Sequence, residues 1–307
     1  MKLSIITINY NNAEGLKRTL DTVASQTYRD IEHIIIDGGS TDGSVDVIRE
    51  YADKVDRMHD ERMKVIWSSE PDKGIYDGMN KGIEIALGRR VVNAFNRSER
   101  SEDKNRALPD YIQILNSGDI LAAPDVTERM MSEICKLNTE HLENRPAIFY
   151  GNMIKEWPDG KRLNDRGGSG QLSMLNFYFG TLNHDSAYIR RDLFERFGLY
   201  DENLKIVSDW KWFLQAIPLG GVQPVYVDID VTVFDMTGVS ESNTDKWKIE
   251  RRPVLEELVP SMILADYDKY GEDMRMVDRL RRHHIHGLVR FIERVLFKME
   301  KWGVLRK

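Results

Sequence analysis

The sequence predicts an α/β fold: a Rossmann-type mixed, mainly parallel sheet with helices on both faces, followed by a C-terminal helical extension. Three observations carry this. Up to about residue 120, short apolar runs alternate with stretches of helical spacing, the pattern of successive βαβ units. The apolar runs end on polar, turn-forming segments. From Ile249 onward the pattern is mostly helical.

The elements follow in order. Leu3 to Ile8 reads as a first buried strand, and Leu16, Leu20 and Val23 then repeat at helical spacing. Ile31 to Ile36 reads as a second strand, ending on Asp37-Gly38-Gly39. A short helix is predicted from about Ser44, with Val45, Ile48 and Ala52 on one face. Met63 to Trp67 reads as a third strand, and Ile75, Met79, Ile83 and Leu87 form a helical stripe. Tyr111 to Leu115 reads as a fourth strand, ending on Asn116-Ser117-Gly118-Asp119. The stretch from Asn93 to Pro109 breaks this rhythm, because Arg97, Glu99, Arg100, Glu102, Asp103, Lys104 and Arg106 leave almost no apolar content. It exceeds the usual αβ connection and is predicted to be an inserted, solvated loop far from the strand ends that carry the site. In the second half, Ala147 to Tyr150 and Val222 to Val233 carry strand signal, Trp157-Pro158-Asp159-Gly160 a turn, and Gly167-Gly168-Ser169-Gly170 a flexible loop.

The bulk numbers bound the function. With 307 residues and 41% hydrophobic content, the chain can bury one large α/β core with appendages. A net charge of −6 argues against a nucleic-acid partner. Cys135 is the single cysteine, so an intrachain disulfide framework and a cysteine zinc site are excluded, which suits a reducing compartment. The apolar run at Met1–Asn9 is too short for a signal peptide, and no window reaches bilayer-spanning length. A cytoplasmic protein is expected.

In an open parallel sheet, ligands bind beyond the carboxyl ends of the strands. Three polar segments should meet there: Asn9-Tyr10-Asn11-Asn12, Asp37 to Asp42, and Asn116 to Asp119. Any one alone would be ordinary turn chemistry. Three at successive strand ends point to a site.

These segments resemble the inverting family 2 glycosyltransferases of the GT-A fold, of the bacterial polysaccharide-biosynthesis type. The resemblance runs through Thr7-Ile8-Asn9-Tyr10-Asn11, Ser25-Gln26-Thr27-Tyr28, Ile36 to Ser44, Asp72-Lys73-Gly74-Ile75-Tyr76-Asp77-Gly78-Met79-Asn80-Lys81-Gly82 and Leu115 to Asp119. Weaker echoes are Asn183-His184-Asp185-Ser186 and Ile206 to Trp210. It covers roughly residues 1–240 in order, which is more specific than any single motif. It implies a GT-A-like catalytic domain over 1–240, with a nucleotide-sugar half (1–120) and an acceptor half (121–240). Residues 93–109 are then an insertion, and 241–307 a C-terminal helical region.

The resemblance also implies roles. Tyr10 packs on the nucleotide base, with Asn11 beside it, and Asp37 lines the base or ribose pocket. Many relatives carry two acids where this chain has Asp37-Gly38, and the second commonly contacts uracil; a UDP-sugar remains the favoured donor. Lys73, Asp77 and Asn80 fall near the start of the third helix, where Lys73 would meet the diphosphate. Asn116 and Ser117 join the donor site. Asp119 is the one carboxylate left where relatives carry an acidic metal motif, and it would hold a divalent metal, Mn or Mg. Asp209 matches the catalytic base, which removes the acceptor proton. His184 and Trp210 lie on the acceptor side. The acceptor is a saccharide or a lipid-linked saccharide.

Rival readings have their own signatures. A dehydrogenase would need G-x-G-x-x-G after its first strand, a P-loop enzyme Gly-Lys-Ser/Thr, and a sugar nucleotidyltransferase a Gly-rich basic loop where this chain has Asn9-Tyr10-Asn11-Asn12. A nucleotide-sugar-binding protein without catalysis is the other alternative, resting on Gly38 and the thinned acidic motif.

At the C-terminus, Ile285, Leu288, Ile292, Val295, Met299 and Trp302 repeat at helical spacing, and Arg290, Arg294, Lys298 and Lys301 take another side. From Arg275 to Lys307, ten Lys/Arg face three acids, a local net of 10 − 3 = +7. Such a helix suits either a protein partner, including a homodimer, or a peripheral contact at the inner face of the membrane. His283, His284 and His286 are expected at the surface.

Overall fold

A computed structural model of the chain describes residues 1–58, 60, 62–91, 106–141, 145–166, 172–236, 246–282 and 285–301. It divides into two units, Met1–Arg252 and Pro253–Lys307.

The first unit opens as β1 (Leu3–Asn9), α1 (Ala13–Ala24), β2 (Ile31–Asp37), α2 (Ser44–Arg57), β3 (Met63–Ser69), α3 (Ile75–Ala86) and β4 (Tyr111–Ile114). These are the predicted strands and helices, each strand extended by a residue or two at most or shortened by one. Then come β5 (Ile120–Leu121), α4 (Val126–Glu140), β6 (Ile148–Glu156), β7 (Arg162–Asp165), α5 (Met174–Phe179), β8 (Ala187–Arg190), α6 (Asp192–Phe197) and α7 (Ser208–Leu214). A π-helical turn at Gln215–Leu219 follows, then β9 (Val225–Asp235). The predicted turn at Trp157–Gly160 joins β6 to β7; Gly160 has φ +80° there, which favours glycine.

Among the described residues, one sheet holds every strand, in the order β3-β2-β1-β4-β8-β6-β9-β5, with β7 beside β6. β1 to β4 are parallel neighbours. β8 runs antiparallel to β4 and β6, so the sheet is mixed. Every residue of β1 and β2 is buried, which fits strands covered on both faces. Polar groups in these strands are paired, as burial requires. Glu32 meets Lys2 and Arg106, and His33 lies between Thr7 and Tyr51.

Close packing fixes α3 on the sheet. A Cβ at Gly82 would lie 2.4 Å from Ile6 Cγ2, so only glycine allows this approach. Most of the Asn93–Pro109 segment, residues 92–105, lies outside the described residues. Its far flank is at the amino edge of the sheet, where Arg106 pairs with Glu32 and Lys2 Nζ donates to Ala107 O. The expected Gly167–Gly170 loop also lies outside the described residues.

α8 (Lys246–Leu258) contains Pro253. The second unit also contains α9 (Ser261–Arg282) and α10 (His286–Lys301). Leu288, Phe291, Ile292, Val295, Leu296 and Phe297 of α10 are all exposed. Trp302, His283 and His284 lie outside the described residues, and nothing is described of the His286 side chain.

Candidate active site

The parallel strands β2, β1 and β4 deliver the three polar segments to one edge of the sheet. Parallel register sets Asn9 beside Asp37, and Asp37 beside Ser69 at the end of β3. Asp37 is fully buried and accepts four hydrogen bonds: from Asn9 Nδ2 (2.8 Å), the Ser40 amide (2.9 Å), the Ser40 hydroxyl (2.6 Å) and the Ser69 hydroxyl (2.6 Å). With its lone pairs spent on these donors, Asp37 braces the loop ends. Asn11 sits at φ +48°, donates its amide to Ser40 Oγ and accepts from the Thr41 amide. It ties the first loop to the second. Tyr10 is 65% exposed beside them.

Gly38 backs onto this tyrosine. A Cβ there would fall 2.6 Å from Asp72 Oδ2 and 3.2 Å from Tyr10 Cδ2. The Asp72 carboxylate thus occupies the space that a side chain at position 38 would need. Burial pushes the Asp72 carboxyl up; the Gly74 amide and Lys81 oppose this.

Lys73, Asp77 and Asn80, expected near the start of the third helix, have separate surroundings there. Lys73 precedes the helix, and its Nζ is 3.8 Å from Glu202. Asp77 Oδ2 accepts the Lys73 amide (2.8 Å) and pairs with Lys81 (3.3 Å). Asn80 is buried, giving Nδ2 to Tyr200 O and Glu202 Oε1 and accepting from the Tyr200 amide. Its amide holds α3 to the 200–202 loop. Lys81, which the sequence reading passed over, is the buried cation of this corner, between Glu70, Asp77 and Pro71 O.

Asp209 opens α7. Its Oδ1 accepts the Tyr76 hydroxyl at 2.9 Å and its Oδ2 lies 3.2 Å from His184 Nδ1. Burial alone would raise the Asp209 carboxyl, but the hydrogen bond and charge of His184, with Tyr76, hold it below the usual range. Burial would likewise lower His184; Asp209, Asp185 and Asp119 outweigh it and raise the imidazole to about 9. A protonated imidazole donates from both nitrogens. Its Nε2 stands 3.2 Å from the Asn116 amide, whose Oδ1 is otherwise buried without a partner. Turning that amide over lets Asn116 accept from His184, so the assignment Asn116 Oδ1···H–Nε2 is the satisfied one. Ser117 contributes backbone: its carbonyl accepts from Asn12 and its amide donates to Ile8 O.

Trp210 was expected on the acceptor side. It is 1% exposed, and its indole N–H donates to Phe177 O at 2.8 Å. It therefore packs in the core next to Asp209, where a saccharide cannot reach its face.

Asp119 is 5% exposed, and its Oδ1 accepts the Asp235 amide at 3.0 Å. Burial, then the charge of Asp185, pushes its carboxyl well above the usual range. A cation would relieve this. Among the described residues, no group of three or more His, Cys, Asp or Glu is arranged to hold a metal ion. A divalent ion at Asp119 fits only with further oxygens from a diphosphate and water.

Residues 4–94 match the model of the family described as glycosyl transferase family 2. A PGL/p-HBAD biosynthesis glycosyltransferase of Mycobacterium tuberculosis (strain ATCC 25618 / H37Rv) is 26% identical over 265 residues, covering 85% of this chain and 88% of the relative. Among solved structures, TarS of S. aureus superposes with a TM-score of 0.56 at 16% identity, over 84% of this chain and 39% of TarS. TarS 1–349 has been solved with UDP-GlcNAc. A mannosyltransferase from Pyrobaculum calidifontis, solved with GDP-Man and Mn2+, superposes with a TM-score of 0.52 at 15% identity, over 81% of this chain and 60% of that one. The chain thus spans less than two thirds of either solved neighbour, and the likeness to them is one of fold.

Proposed function

We propose that this chain, a glycosyltransferase with a family 2 N-terminal segment and a GT-A-type fold, transfers a sugar from a nucleotide-diphosphate donor to an acceptor hydroxyl with inversion. The observation that carries this reading is the Asp209 carboxylate, ionised and held by Tyr76 and His184 at the sheet edge where Asn9, Asp37 and Asn116 emerge. In one displacement, the acceptor oxygen bonds to the anomeric carbon, the bond to the diphosphate breaks, and the acceptor proton passes to Asp209. His184 positions Asp209 and balances its charge. Asp119 would hold a divalent ion, which when bound neutralises charge on the departing diphosphate.

On the donor side, the exposed ring of Tyr10 offers a surface for the base, and Asp72 beside Gly38 supplies an acceptor for a base N–H. A UDP-sugar is the favoured donor. The polysaccharide role and the cytoplasmic placement belong to this reading. Among the described residues, no helix is long and apolar enough to cross a membrane.

Asp209→Asn tests the reading. Transfer should fall by roughly 10²–10⁴-fold, the usual worth of a general base, while calorimetry finds donor affinity nearly unchanged. Near-normal turnover in this variant would remove Asp209 from the mechanism. A wild-type chain that binds nucleotide sugars but never transfers or hydrolyses them would favour the binding-protein alternative.

A further inference from the structure

Arg251, in the part of α8 that belongs to the first unit, has no role in the site described above. Its guanidinium carbon is 4.6 Å from the ring centroid of Trp210 and 4.6 Å from that of Trp247. Stacking on two indoles holds the guanidinium plane and leaves its edge, which carries the N–H donors, for other partners. Nε and Nη1 are buried, and neither has a hydrogen-bond partner among the described residues. Buried donors are normally satisfied, and a buried cation all the more so. Burial lowers the group to about 10, with Asp209 opposing, so it is charged at neutral pH. Asp209 is already engaged by His184 and Tyr76.

The placement is firm. Glu250, the preceding residue, accepts from the amides of Lys205 (3.0 Å) and Ile206 (2.9 Å), in the loop that leads into α7. Trp210 follows Asp209 directly. Arg251 is thus fixed near Asp209 from two directions, with its Nε and Nη1 donors unspent. Charged guanidinium N–H donors suit phosphate oxygens. Asp209 already has a close partner in His184, so the arginine adds a cation that the carboxylate does not need.

We propose that Arg251 binds phosphate oxyanions next to Asp209, either the diphosphate of the donor or a phosphate on the acceptor. This rests on the transfer reading for its setting and is tested separately from it. The full chain is titrated with inorganic pyrophosphate, inorganic phosphate, UDP and uridine, using calorimetry and tryptophan fluorescence, for wild type, Arg251→Gln and Arg251→Lys. Pyrophosphate affinity should fall by roughly tenfold to a hundredfold in Arg251→Gln, the range for hydrogen bonds to charged groups, and by less in Arg251→Lys. Loss of UDP affinity with uridine unchanged assigns the site to the donor diphosphate. Arg251-dependent uptake of inorganic phosphate by UDP-saturated protein assigns it to the acceptor. Equal affinities in wild type and Arg251→Gln overturn the proposal. Should the glutamine variant not fold, the lysine variant and wild type decide: no saturable binding of pyrophosphate or phosphate by wild type overturns it as well. Pyrophosphate binding through Arg251 in a chain that transfers no sugar would sink the transfer reading alone. Active transfer with unaltered pyrophosphate affinity in Arg251→Gln would sink this assignment alone.

Discussion

Gly38 and Asp72 compete for one volume, and that gives a prediction at the scale of single residues. Gly38→Asp puts a Cβ 2.6 Å from a carboxylate oxygen and adds a second negative charge beside it. Overpacking of this kind costs about 1–3 kcal/mol, so thermal unfolding should shift down and nucleotide affinity should weaken. Gly38→Asp with Asp72→Gly should recover much of both. Non-recovery in that double variant would mean that the two positions do not share a space. His184 supplies a second test. It is charged below about pH 9 and neutral above. If the imidazolium is what holds Asp209 in place, kcat/KM should fall as pH rises through about 9, and the fall should be absent from the residual activity of His184→Gln. Asp119→Ala should weaken donor binding in manganese and make little difference in chelator; full wild-type activity in chelator would remove the ion from the reaction. None of these side-chain relations is visible in the sequence, because residues 38 and 72, or 184 and 209, meet only after folding.

Elements differ in how much of them a sequence reveals. β1 to β4 and α1 to α3 were legible because each buried strand is a continuous apolar run and each helix carries one apolar stripe. The short α5, α6 and α7 offer too few residues for a period to register, yet α7 carries Asp209. The start of α3 shows a second limit: the resemblance implied one donor-side group of Lys73, Asp77 and Asn80, but Lys73 precedes the helix and Asn80 turns inward to Tyr200. α10 was legible as amphipathic, and its Leu288, Phe291, Ile292, Val295, Leu296 and Phe297 are exposed. With basic residues along the adjoining side, that face should bind anionic membrane surfaces. In liposome flotation, the full chain should rise with phosphatidylglycerol vesicles. A chain ending at Asp273, or one with Arg290, Arg294 and Lys298 reversed in charge, should not. A concentration-dependent dimer in sedimentation, with no flotation, would instead assign the face to a second copy.

For the molecule as a whole, the buried polar pairs of the sheet set its response to acid. His33 ordinarily titrates near 6.5, but burial lowers it to about 3 in the fold. Between these values the unfolded chain takes up a proton that the folded chain refuses. Its contribution is therefore complete above about pH 6.5 and is lost as pH falls toward 3, at about 1.4 kcal/mol per pH unit. The drop in thermal midpoint from pH 7 to pH 5 should be smaller in His33→Gln than in wild type, whatever the substitution itself costs; equal slopes would show that His33 does not set the response. The sequence by itself determined the α/β class, the order of the first four strands and first three helices, and the strand ends that would carry polar residues, because those follow from local period and turn chemistry. Only the tertiary structure decided that Asp37 braces loops, that Trp210 is core, and that Asp72, Lys81 and Tyr76 stand beside the candidate residues. Those roles depend on which distant side chains share a volume and a hydrogen bond, and no local pattern encodes that.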